Sequence, residues 1–146
     1  MGTAYRCDPD LRCTFVAWHG NVTLDEWRNH VERMLGDEAF PPGPLLFSDL
    51  RTAGGVPAIT TDVITELGAR FNGEAETLGG MKFAVVADGA WDKARQLVDR
   101  DVSVPGLRAI VFATSSAAFM WLGLNAEDAE PILDELRAKL RSESRT

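Results

Sequence analysis

Hydrophobic and polar positions alternate near the start of the chain. Leu11, Cys13, Phe15 and Ala17 fall on one side of an extended backbone, and Arg12, Thr14, Val16 and Trp18 on the other. A period of two marks a β-strand. Residues 5–7 form a shorter strand-like run, and Asp8-Pro9-Asp10 makes the turn between them, so an antiparallel hairpin is expected. His19-Gly20-Asn21 is expected to end the second strand. The period then changes. Leu24, Trp27, Val31, Met34 and Leu35 share one helical face, and Thr23 with Glu26 three residues on forms a capping box. Pro41-Pro42-Gly43-Pro44 breaks the chain. Residues 45–48 lack alternation, as a strand covered on both faces should. That strand is expected to stop at Asp49 and Arg51 and to give way to a glycine-containing loop.

A second helix is predicted from Thr60 or Thr61, with Val63, Ile64, Leu67 and Phe71 inward and Gly73 at its end. Residues 81–87 form the next buried strand, Trp91, Ala94 and Leu97 a short helix, and residues 107–112 the last strand. Ser115 or Ser116 caps a helix bearing Phe119, Met120 and Leu122, which Gly123 stops. Pro131 suits the first turn of a final helix whose apolar stripe is Ile132, Leu133, Leu136 and Leu140. Glu127, Asp128 and Glu130 at its start and Arg137, Lys139 and Arg141 at its end match the helix dipole. Residues 142–146 are expected to fray. The order β-β-α-β-α-β-α-β-α-α predicts one α/β domain over residues 1–146. Its sheet is mixed and largely parallel, of four to five strands, with an N-terminal antiparallel hairpin and flanking helices.

Composition narrows the function. The 146 residues carry a formal net charge of −7, which argues against a general nucleic-acid binder and against docking on an anionic membrane by charge. No stretch has the roughly 18 consecutive apolar residues of a membrane span. Two cysteines are too few for a secreted disulfide framework, so a cytoplasmic protein with reduced thiols is expected.

Catalytic motifs are missing: there is no glycine-rich dinucleotide loop, phosphate loop, C-x-x-C or H-E-x-x-H. No catalytic residue, metal ligand or cofactor is assigned. His19, at a strand end, and His30, off the apolar stripe of its helix, are read as solvated or structural, with a neutral-pH base or ligand as the alternative. Cys7 and Cys13 are assigned to one apolar face of the hairpin with Tyr5, Leu11 and Phe15, as inert thiols rather than a redox pair. Asp49 and Arg51 either turn the backbone and pair, or line a site at the carboxyl edge of the sheet, where ligands of open α/β sheets bind. Ser48 is expected to point to the core. Thr60 and Thr61 are helix caps first. A phosphate on either would be favoured at a helix N-terminus, though Asp62 opposes a further negative charge. Trp27, Met34, Phe71, Trp91, Phe119, Met120 and Trp121 read mainly as core. Of these, Trp27, Phe71, Trp91 and Trp121 are the candidates for an apolar pocket or an interface.

Several local patterns occur together in a fixed order. They are Gly20-x-x-Thr23-x-x-Glu26, the strand ending Asp49-Leu50-Arg51, Phe83-Ala84-Val85-Val86, and Ile110-Val111-Phe112 followed by Ala117-Ala118-x-x-Trp121-Leu122. This ordered set, over roughly residues 4 to 124, resembles the SpoIIAA-like proteins of the STAS/CRAL-TRIO-like fold group. The resemblance implies a mixed sheet flanked by helices, usually without catalytic activity. In the anti-sigma-factor antagonists of this fold, a partner kinase phosphorylates a serine in an Asp-Ser-Ser-Gly motif at the helix start after the central strand. Here Ile59-Thr60-Thr61-Asp62 stands in that place. Lipid-binding relatives, which are larger, imply an apolar pocket between sheet and helices. The expected function is a non-enzymatic regulatory or protein-interaction module, with a protein partner or a second copy bound at an edge formed by Asp49, Arg51, Thr60 and Thr61. The alternative is a carrier or sensor of a small apolar, lipid-like ligand. A small hydrolase is disfavoured because no nucleophile–base pair is evident.

Overall fold

The computed structural model describes residues 2–21, 23–40, 45–55, 82–87 and 108–144. Five strands form one sheet in chain order: β1 (Thr3–Asp8), β2 (Cys13–Asn21), β3 (Leu45–Gly55), β4 (Lys82–Val86) and β5 (Arg108–Phe112). β1 pairs with β2 antiparallel, and every later pairing is parallel. Three helices are described: α1 (Leu24–Leu35), α2 (Ser115–Leu122) and α3 (Ala126–Ser144). The sheet has the mixed, largely parallel form that the sequence predicts. The helices expected after Thr60 and around Trp91 lie outside the described residues.

Strand alternation divides the core between two faces of the sheet. Val16, Trp18, Leu46, Leu50 and Val85 face α1, where Val31 and Met34 meet them. Cys13, Phe15, Ala17, Phe47, Ala84 and Val86 face α2 and α3, against Phe119, Leu122, Leu133, Leu136 and Leu140. On this second face Phe47 lies 4.7 Å from Phe119 and 5.9 Å from Phe15, ring centre to ring centre.

Several local expectations need correction. Cys7 and Cys13 do not share a face. Cys7 packs with Tyr5 on the α1 side and Cys13 with Phe15 on the other, because Cys7 is opposite Thr14 in the antiparallel register. Both faces of β2 are covered: Thr14, Val16 and Trp18 are buried as fully as Cys13, Phe15 and Ala17. Burial raises the pKa of both thiols, which keeps them protonated. The cap of α2 is Thr114, whose hydroxyl accepts from the Ala117 N–H at 3.2 Å, and not Ser115 or Ser116. Gly123 ends that helix as expected, at φ 75°, where an L side chain is strained.

α3 begins five residues before Pro131, so the proline lies in the second turn and not the first. Asn125 explains the early start: its side-chain oxygen accepts from the Glu127 N–H and its carbonyl from the Asp128 N–H. α3 continues to Ser144, into the stretch expected to fray.

β3 does not stop at Asp49 and Arg51. It runs on to Gly55 beside β2, which itself continues through His19 and Gly20 to Asn21. Asp49 is the last β3 residue paired with β4, opposite Val86, and Val86 is opposite Phe112 at the end of β5. The carboxyl edge of the parallel sheet is therefore stepped. β4 and β5 end at the level of Asp49, and β2 and β3 overrun it as a ribbon. At the step, β2 advances from Ala17 to His19 and β3 from Asp49 to Thr52, so β3 carries an extra residue, a β-bulge.

Candidate functional site

The bulge puts an unusual demand on Asp49. A bulge removes a residue from the ladder and frees its backbone groups. The Arg51 N–H donates instead to Asp49 Oδ1 at 3.0 Å. The Arg51 side chain closes on the same carboxylate, Nε to Oδ1 at 3.0 Å and Nη2 to Oδ2 at 3.1 Å. This is the two-pronged guanidinium–carboxylate geometry that makes strong, directional pairs. The Asp49 side chain is 1% exposed, and that of Arg51 26%. The hydrogen bond to Asp49 is the main reason the Arg51 guanidinium is held above its ordinary pKa, with the charges of Asp49 and Glu130 adding to it.

α3 completes the cluster. Arg137 Nε lies 3.7 Å from Asp49 Oδ2. Glu130 Oε1 accepts from the Ser115 hydroxyl at 3.1 Å, which ties α3 to the first residue of α2. Glu130 and Arg137 are seven residues apart, two helical turns, so both flank the Leu133–Leu136 stripe on one side. The edge thus joins β3, α2 and α3 through Asp49, Arg51, Ser115, Glu130 and Arg137. Sequence reasoning identified the first two. It placed Glu130 and Arg137 on the last helix only for their effect on the dipole. Their seven-residue spacing beside the stripe is the signal that could have singled them out, but not the strand end they face.

The other candidates are elsewhere. Ser48 is buried on the opposite face from Asp49 and accepts from the Trp18 indole N–H at 3.0 Å. Trp121 is half-buried against Phe112, ring centres 5.6 Å apart, with Lys82 Nζ 5.3 Å from its ring centre. Lys82 also donates to the Trp121 carbonyl. Thr60, Thr61, Phe71 and Trp91 lie outside the described residues, as does the side chain of Trp27. Among the described residues no group of three His, Cys, Asp or Glu could hold a metal ion, and no helix is long and apolar enough to cross a membrane.

His30 is not on an open helix face. It is 5% exposed and sits edge-on between Trp18, 4.8 Å away, and Tyr5, 5.7 Å away. Those rings belong to the α1 side, so His30 is across the sheet from Asp49. Burial, with the charge of Arg33 adding to it, lowers its pKa to about 4. The unfolded value is about 6.5. The folded state therefore resists protonation. Stability present above pH 6.5 is lost as pH falls from about 6.5 toward 4, by about 3 kcal/mol in all. Urea midpoints across this range should show the loss, and His30→Gln should flatten it. An unchanged slope in the variant would remove His30 as its source.

No protein-family model matches the chain, and no curated protein matches it. Among solved structures, the chain is similar to an uncharacterised DUF3478-family protein with a SpoIIAA-like fold from Shewanella loihica PV-4. Identity is 16%, the match covers 83% of this chain and 94% of that one, and the TM-score is 0.54. At that identity the likeness is one of fold, and this chain has a SpoIIAA-like fold.

Proposed function

We propose that the chain is a non-enzymatic regulatory or protein-interaction module, cytoplasmic in location, whose working surface is the carboxyl edge carrying Asp49 and Arg51, with Thr60 and Thr61 in the segment that follows. The observation that supports this most is the closed Asp49–Arg51 pair at the step of the sheet. The Asp49 carboxylate is buried and accepts three hydrogen bonds from Arg51, so its oxygens are engaged within the protein and not open to a substrate. The same arrangement is a firm platform for a binding surface, because it fixes charged groups at the rim of a rigid sheet. His30, neutral and across the sheet, supplies no base to that edge.

The alternative, a carrier of an apolar ligand between sheet and helices, draws less support from the described residues. Phe15, Phe47 and Phe119 are each at most 1% exposed and fill the space under α2 and α3.

Native mass spectrometry of the chain taken from its own cells tests the reading. We expect a complex with a protein or with a second copy, mass added at Thr60 or Thr61 in part of the population, and altered complex formation in Thr61→Glu. A bare, unmodified monomer whose Thr61→Glu variant behaves identically would refute the switch. A co-purified apolar molecule would favour the carrier.

A further inference from the structure

Arg137 is the unexplained member of the edge cluster. Asp49 is already engaged by Arg51 through three hydrogen bonds. Arg137 Nε approaches the same carboxylate to 3.7 Å, too far for a hydrogen bond, and it is buried with no acceptor among the described residues. A buried donor without a partner is unfavourable, and native proteins retain few of them. Glu130, two turns away on the same side of α3, binds Ser115 instead. The side chains of Arg51 and Arg137 are nonetheless each 26% exposed, and both lie against the same carboxylate. Arg51 uses Nε and Nη2 on Asp49, which leaves the N–H groups of Nη1 outside that pair. Two guanidiniums held on one buried carboxylate, with donor capacity left over, fit the flat multi-oxygen face of an anion.

We propose that Arg51 and Arg137, positioned by Asp49, form a clamp for a single oxyanion group, a carboxylate or a phosphate, presented by the protein partner. The proposal rests on reading the carboxyl edge as the working surface and adds the chemistry that the surface recognises. Asp49 is a positioning residue: it orients Arg51 through two side-chain bonds and holds Arg137 by charge. Arg12 and Arg108, at the opposite, amino edge of the sheet, belong to no such pair in the described structure and serve as internal references.

The test is a titration of the full-length, 15N-labelled chain with inorganic phosphate and, separately, with acetate, at an ionic strength held constant with chloride. The arginine Nε–H signals are followed by NMR. The clamp predicts saturable shifts at Arg51 and Arg137 while Arg12 and Arg108 stay still. It predicts binding at least tenfold weaker in Arg137→Gln. If Arg137→Gln does not fold, Arg137→Lys, which keeps the charge and loses the fork, should show the same weakening. A stronger response to phosphate identifies a phosphoryl group as the natural anion, and an equal or stronger response to acetate identifies an aspartate or glutamate side chain. Signals that do not move with either anion, or that move equally at all four arginines, overturn the clamp. Failure here leaves the interaction reading intact if Arg51 and Arg137 variants still lose a protein partner. Anion binding by a chain that holds no partner would refute the interaction reading and overturn the clamp as a partner-recognition device, leaving a site for a free anion.

Discussion

Asp49→Ala is expected to lower stability by about 3 kcal/mol, the scale of breaking a buried ion pair from one side. Three consequences add together. The Arg51 N–H at the bulge loses its acceptor, the Arg51 side chain loses both of its bonds, and Arg137 loses its only nearby opposite charge among the described residues. The cost stays near the lower end for such pairs because both arginine side chains are a quarter exposed and water takes up part of the charge. Asp49→Asn should lose less, since the amide oxygen still accepts from the Arg51 backbone. Arg51→Met on the Asp49→Leu background should recover part of the loss by removing the stranded charge. Denaturant midpoints at constant m-value measure all of these. A loss below about 1 kcal/mol for Asp49→Ala would class the cluster with ordinary surface ion pairs.

Phe47→Ala is the second large effect, at about 3–5 kcal/mol. Phe47 is 0% exposed on β3, the central strand of the sheet, and touches both Phe15 and Phe119. Those neighbours are held by the sheet and by α2, so little can relax into the space left behind. Phe47→Leu, closer in volume, should lose much less. A small loss on Phe47→Ala would mean that the α2–α3 layer collapses onto the sheet. It would also mean that the layer is loose enough to admit the apolar ligand of the alternative reading.

Much of the fold was legible because burial leaves a periodic trace. The heptad-like stripe Ile132, Leu133, Leu136, Leu140 specified α3, and the unbroken apolar run at residues 45–47 specified a strand covered on both sides. The hairpin was legible as a hairpin but not in its faces. A strand covered on both sides by helices buries both sets of alternate residues, and Val16 and Trp18 are as buried as Phe15 and Ala17. The end of β3 was not legible either. Asp49, Arg51 and the glycines after them are typical of a loop, yet the chain stays extended. The bulge has no sequence signature of its own, and β2 supplies the partner strand for the overrun.

Two of the five residues of the candidate site, Asp49 and Arg51, were legible for a related reason. An acid and a base two residues apart in an extended run are expected on one face by the strand period, and the Asp49–Arg51 pair closes across the bulge. Ser115, Glu130 and Arg137 come to them only through the packing of α2 and α3, a long-range arrangement that no local pattern encodes. His30 shows the same limit from the other side. Its place off the apolar stripe left a solvated or a structural role open, and the rings of Tyr5 and Trp18 make it a buried, structural one.

The central claim, that the stepped carboxyl edge is a protein-interaction surface, is tested most directly by a comparison in the original cells. Wild-type chain and the Arg51→Gln/Arg137→Gln double variant are purified gently, checked for equal folding by circular dichroism, and weighed intact by native mass spectrometry. The account predicts a defined complex for the wild type that the folded double variant has lost. A complex retained equally by both would contradict it.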